Sequence, residues 1–335
     1  MITANRLPAQ LPPRWQQLWR ESVTDPLELL RLLGLEAQAG RLLPDADTGF
    51  ALRVPRGFVA RMRPGDPDDP LLRQVLPLAA ELAPQPGFAV DAVGDLAARS
   101  AHGVLQKYAG RALLIATGSC AVNCRYCFRR HFPYAEETAA TGRWREAVAA
   151  IAADPGLDEV ILSGGDPLSL SDPKLAELTA ALREIPHVRR LRLHTRLPVV
   201  LPERVDAGLL AWLDALPLQK VVVLHANHAN EFDERVDAAC SALRARGCTL
   251  LNQAVLLRGV NDDADSLAAL SERAFAAGVL PYYLHQLDRV LGAAHFEVAD
   301  AAALTLVEAL RQRLPGYLVP RLVREIAGEK SKTPL

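Results

Sequence analysis

No stretch of this chain approaches the ~18 consecutive apolar residues of a membrane-spanning helix. The opening MITANRLPAQLPPRW lacks the continuous apolar core of a secretory leader. A soluble, cytoplasmic protein is expected. Charge of one sign is also missing: 38 Lys and Arg nearly balance 39 Asp and Glu, for a net charge of −1. With no long basic run, binding nucleic acid by phosphate neutralisation is disfavoured. Cysteine is too sparse for a disulfide scaffold, at five in 335 residues. No Gly-x-Gly-x-x-Gly or phosphate-loop pattern follows the first strand-like run, which weakens a doubly wound nucleotide-binding fold.

What is present is apolar residue in quantity, 50% of the chain, enough for a substantial core. Residues 1–100 are rich in Pro and Leu, with helical stretches at Pro13–Trp19 and Asp25–Leu33 and an irregular segment at Arg53–Pro70. They read as a small, mostly helical N-terminal extension. Over 101–335, short β-rich runs alternate with amphipathic stretches. The runs are Ala112–Ala116, Glu159–Leu162, Arg190–His194, Lys220–His225, Thr249–Val255 and Leu280–Leu287. The helical patterns are Arg143–Ala153, Pro173–Ile185, Glu203–Ala215, Phe232–Arg246, Ala264–Ala277 and, after the sixth strand, Ala301–Leu314. Strands separated by helices of this length pair in parallel. Six such units predict an α/β fold, a partial (β/α)6 TIM-like barrel, with a doubly wound open sheet as the alternative.

In either architecture active residues belong at the C-terminal ends of the strands, and polar residues collect there: Cys120, Ser163 to Asp166, His194 to Arg196, His225, Asn227, His228, Gln253 and Asp288. The most specific feature is Cys120-Ala121-Val122-Asn123-Cys124-Arg125-Tyr126-Cys127, a C-x-x-x-C-x-x-C loop after the first strand. Three thiolates there can each bind one iron of a 4Fe-4S cubane and leave the fourth iron without a protein ligand. An open iron is a place for chemistry, where the amino and carboxyl groups of S-adenosylmethionine can chelate. A zinc site would need a fourth ligand and more commonly shows C-x-x-C pairs; plain buried thiols are the remaining alternative. Gly164-Gly165-Asp166-Pro167 is an ordinary turn by default, but it lies one βα unit after the cysteines, and adjacent glycines let backbone approach a ligand closely.

The cysteine loop resembles that of the radical S-adenosylmethionine superfamily, whose similar segment after strand two binds the methionine amino group. Further blocks are similar to lysine 2,3-aminomutases: Tyr108-Ala109-Gly110-Arg111, Ile161 to Asp166, His194-Thr195-Arg196-Leu197-Pro198, His228-Ala229-Asn230-Glu231, Asn252 to Asp262, Pro281-Tyr282-Tyr283 and Lys332-Thr333-Pro334. The resemblance runs from about residue 100 to the C-terminus. The short chain and its ending, Gly328 to Leu335, resemble the branch called EpmB, which makes (R)-β-lysine for modification of elongation factor P.

That resemblance implies three cofactors: a 4Fe-4S cluster on Cys120, Cys124 and Cys127; S-adenosylmethionine near Gly164, Gly165 and Asp166; and pyridoxal phosphate on Lys332. Arg111 and Gln253 match its phosphate contacts, Lys107 is a weaker candidate, and Tyr108 is placed beside the pyridine ring. Arg129 matches the arginine that takes the substrate carboxylate. Asp288 and Glu325 match two acids that take the distal ammonium, although Glu325 stands where the free-lysine enzyme has aspartate. The implied reaction moves nitrogen from Cα to Cβ of (S)-α-lysine after a 5′-deoxyadenosyl radical removes a hydrogen. The implied partners are a reductant such as flavodoxin or ferredoxin and, functionally, elongation factor P with a separate ligase. The alternatives are another amino-acid substrate, a radical enzyme without pyridoxal phosphate in which Lys332 is a solvated tail lysine, and a zinc-binding interaction module.

Overall fold

The computed structural model describes residues 12–44, 50–138 and 144–335; the reading of residues 1–11 and the helix start expected at Arg143 lie outside them. Ten strands form one sheet in chain order: β1 (Arg99–Ala101), β2 (Val104–Tyr108), β3 (Arg111–Thr117), β4 (Glu159–Gly164), β5 (Arg190–Thr195), β6 (Gln219–Leu224), β7 (Cys248–Val255), β8 (Leu280–His285), β9 (Arg321–Arg324) and β10 (Thr333–Pro334). Every pair from β3 to β9 is parallel, and the outer pairs are antiparallel. The six expected strands are all present. A seventh parallel strand, β9, follows the helix Asp300–Arg313, and hairpins flank the set.

Helices join the parallel strands, and three of these crossover helices begin at an aspartate whose side chain satisfies free N–H groups. Asp233 accepts from Arg235 and Val236 N–H ahead of the helix Glu234–Ala245, and Asp263 accepts from Ser266 N–H ahead of Ala264–Ala276. The expected single helix Glu203–Ala215 is a correction. A 3-10 turn, Pro202–Arg204, precedes a helix that starts only at Ala207, because Asp206 caps it through Leu209 N–H. β4 is buried on both faces along most of its length, as a central parallel strand should be.

Among the described residues no ladder joins β1 to β10, so the barrel is partial. Side chains bridge the gap instead: Tyr108 at the end of β2 donates its hydroxyl to Glu325 beyond β9 at 2.7 Å. The N-terminal helices Arg14–Arg20 and Pro26–Leu32 pack Trp15, Leu29 and Leu30 into the same apolar core as Leu114, Leu162 and Leu193 of the strands. The C-terminal tail is held by β10 pairing with β9 and by Leu335 N–H to Leu322 C=O at 3.2 Å. Gly328, at φ +85°, makes the turn that returns it.

Candidate active site

The C-terminal ends of the parallel strands open onto a cavity of about 260 Å³, lined both by Cys120, Cys124 and Cys127 and by Asp288, Glu325 and Lys332. All thirteen residues expected to carry the chemistry line it. The three thiols are free. Burial raises Cys120 and pushes Cys127 up to about 11, and the neighbouring thiols add to both shifts. Among the described residues no three His, Cys, Asp or Glu side chains converge as they would around one ion. Three thiols can each bind a different iron of a cluster, whereas a single zinc would need a fourth ligand.

The cysteine loop is clamped from behind. Arg125, fully buried, reaches Glu81 through Nε (2.8 Å) and Nη2 (2.5 Å), and Arg130 reaches the same carboxylate at 2.6 Å. Asn123 hydrogen-bonds Ala51 and Arg53 carbonyls, and Arg125 N–H donates to Gln74 C=O. Residues before 100 thus supply much of what fixes the loop.

The paired glycines make their tightest contact with that loop. A Cβ on Gly165 would lie 2.4 Å from Ser119 O, and one on Gly164, at φ +112°, would lie 2.6 Å from Thr117 O. Asp166 has its carboxylate filled by protein donors: Thr195 Oγ1 (2.7 Å) and the N–H groups of Leu168, Arg196 and Leu197. It joins the end of β4 to the end of β5.

Arg129 is buried, its Nε on Asp95 at 2.6 Å and Nη1 on Ser163 at 3.0 Å. This leaves three of the five guanidinium N–H groups without a hydrogen-bond partner among the described residues, the guanidinium lying 4.8 Å from the Phe128 ring centroid. Lys107 sits 2.7 Å from the other oxygen of Asp95 and 3.5 Å from Glu325. Arg111 lies over the Tyr108 ring, 4.6 Å from its centroid. Gln253 lines the cavity, and its Oε1 is buried with no hydrogen-bond partner among the described residues.

Lys332, not the exposed Lys330, enters the cavity. Its Nζ donates to Glu325 at 2.8 Å and stands 5.8 Å from the Tyr283 ring centroid. Burial alone would raise the Glu325 carboxyl, but Lys332, Tyr108 and Lys107 outweigh it and hold it below the usual range. The Asp288 carboxyl has no hydrogen-bond partner among the described residues; burial pushes it up to about 7, against the pull of Lys332. His194, His225 and His285 line the same cavity, all kept neutral by burial, His225 lowered to about 4.

Comparison with known proteins agrees with this geometry. Residues 114–270 match the radical SAM superfamily. The L-lysine 2,3-aminomutase of Escherichia coli (strain K12) is 52% identical over 96% of this chain and 94% of its own length. Its counterpart from Haemophilus influenzae is 46% identical over 95% and 94%. The chain belongs to the L-lysine 2,3-aminomutase family. The L-lysine 2,3-aminomutase of Clostridium subterminale is more distant, 33% identical over 96% of this chain and 77% of its own. Lysine 2,3-aminomutases are radical isomerases that use a 4Fe-4S cluster, S-adenosylmethionine and pyridoxal phosphate. The residues here fit those groups: three free thiols, a cavity-facing lysine amine, and a guanidinium and an amide, Arg111 and Gln253, on the wall of the same cavity. Sequence reading missed Asp95, Glu81 and Gln74, since nothing local marks them. Among the described residues no helix is long and apolar enough to cross a membrane.

Proposed function

We propose that this chain converts (S)-α-lysine into (R)-β-lysine in the cytoplasm. The product would supply a separate ligase that modifies elongation factor P. What carries the reading is one cavity lined by the three thiols together with Lys332 and Asp288.

When bound, the cluster and S-adenosylmethionine supply the hydrogen-abstracting radical, and pyridoxal phosphate supplies the electron sink that lets nitrogen migrate. This chain's residues bind and orient. Cys120, Cys124 and Cys127 hold the cluster. Gly164, Gly165 and Asp166 shape the wall for the methionine end. Arg111 and Gln253 would hold the phosphate, Tyr108 would pack against the ring, and Lys332 would carry the cofactor. The free N–H groups of Arg129 receive the substrate carboxylate. Asp288 receives the distal ammonium, with Glu325 reinforcing the negative end. The neutral histidines hydrogen-bond without adding positive charge that would repel that ammonium. The largely apolar wall keeps water from radicals. The N-terminal extension clamps the cysteine loop through Phe50, Ala51, Arg53, Gln74 and Glu81, and the parallel strands after it carry the catalytic cavity. The electron comes from a small reductant protein such as flavodoxin or ferredoxin.

Two measurements test this. Borohydride reduction of protein loaded with pyridoxal phosphate should fix the cofactor's mass on the peptide at Lys332; a mass on Lys330, or none, contradicts the assignment. Lysine should be turned over far better than glutamate or alanine; a preference for an anionic or short side chain would remove Asp288 from its role. Zinc in place of iron and sulfide in protein purified without oxygen would favour the interaction-module alternative.

A further inference from the structure

Arg196 has no part in the roles assigned above, yet it makes the most direct contact with the cysteine set. Its Nη1 lies 2.7 Å from Cys124 Sγ, and among the described residues no other cationic side chain hydrogen-bonds to any of the three thiols. The other arginines of the region are committed elsewhere: Arg125 and Arg130 to Glu81, Arg129 to Asp95. Arg196 is also fixed in place. Its Nη2 donates to Gln74 Oε1 at 2.6 Å and Glu231 Oε2 at 2.9 Å, its guanidinium lies between the rings of Phe58 (5.5 Å) and Tyr126 (5.8 Å), and its backbone N–H is held by Asp166. Glu231 is fully buried and is itself held by Asn227 and His228 N–H and by Gln74. A network of this kind holds the cation in one position on the cavity wall.

We propose that Arg196 is a positioning residue that sets how easily the cluster is reduced, by presenting a fixed cation and an N–H donor to the Cys124 sulfur. The inference rests on the three cysteines holding an iron–sulfur cluster. Reduction brings one electron from a low-potential donor onto the cluster; no bond at Arg196 breaks and its protons stay in place. The added negative charge is stabilised by a buried cation and by hydrogen bonding to sulfur, both of which raise the reduction potential.

The test uses the reconstituted full chain in three forms: wild type, Arg196→Lys, and the double variant Arg196→Gln with Glu231→Gln, which removes both buried charges together and leaves neither unpaired. Iron and sulfide are counted, then the cluster is titrated with mediators and followed by electron paramagnetic resonance. The double variant should keep its cluster while its reduction equilibrium falls at least tenfold, ~59 mV for a one-electron couple. Arg196→Lys, which keeps the charge and loses the fork, should fall between. An unchanged midpoint in the loaded double variant overturns the proposal. So does loss of cluster from a folded double variant, which would make Arg196 a requirement for assembly. A wild-type chain without iron and sulfide would instead overturn the cysteine assignment, and the inference with it.

Discussion

Asp288 offers a test in which stability and function move in opposite directions. Burial raises its carboxyl from 3.8 to about 7, so the folded chain holds this proton more tightly than the unfolded chain does. The linked stability is fully present below about pH 4, declines as pH rises, and reaches its lower plateau above about pH 7. A shift of ~3 units corresponds to roughly 4 kcal/mol at full strength. The carboxyl faces cavity solvent, and screening reduces that to about 2 kcal/mol. Asp288→Asn removes the ionisation and disturbs no hydrogen bond to a described residue. In urea denaturation without ligands, the variant should therefore gain ~2 kcal/mol over wild type at pH 8.5 and little at pH 4.5. Turnover should suffer the reverse. Leaving a buried substrate ammonium unpaired costs about 3 kcal/mol or more, at least a hundredfold in kcat/KM. Wild-type KM for lysine should also fall as pH rises through about 7, since only the carboxylate attracts the ammonium, and the variant should lose that slope. A stability difference that does not change with pH, or lysine turnover within about threefold of wild type, would refute the reasoning.

Two further outcomes follow from the cysteine loop. Gly165→Ala places a Cβ 2.4 Å from Ser119 O and 2.8 Å from Gly118 C, both backbone. The loop must move, and iron incorporated per chain should drop sharply while circular dichroism changes little; full iron content would show that the loop yields without harm. Glu81→Gln leaves the guanidinium groups of Arg125 and Arg130 buried without their shared carboxylate. It should cost about 3 kcal/mol in urea denaturation and lower iron retention; wild-type stability would mean that the clamp is dispensable.

The cysteines, the six strands and Lys332 were legible because their signals are local: a fixed spacing, an apolar run, a short motif. Strand β9 was not, because Arg321–Arg324 is four residues long with arginine at both ends and is a strand only through its pairing with β8 and β10. The tail carrying Lys332 has the composition of a frayed end, and its order comes from that same distant pairing. Asp95 and Glu81 lie 34 and 44 residues before the arginines they hold, a separation over which no pattern survives. The glycine pair was read as room for a ligand; it lines the cavity, but the need for glycine arises from the loop backbone packed against it. The share of residues 1–100 in the site became visible only when Gln74 and Glu81 were found behind the cysteines.

The most direct measurement is to incubate anaerobically reconstituted protein with lysine, S-adenosylmethionine, pyridoxal phosphate and a reductant, with Lys332→Ala alongside, and to look for β-lysine by mass spectrometry. The account predicts β-lysine from the wild type and none from the variant. A wild-type enzyme that cleaves S-adenosylmethionine to 5′-deoxyadenosine and never forms β-lysine would contradict it.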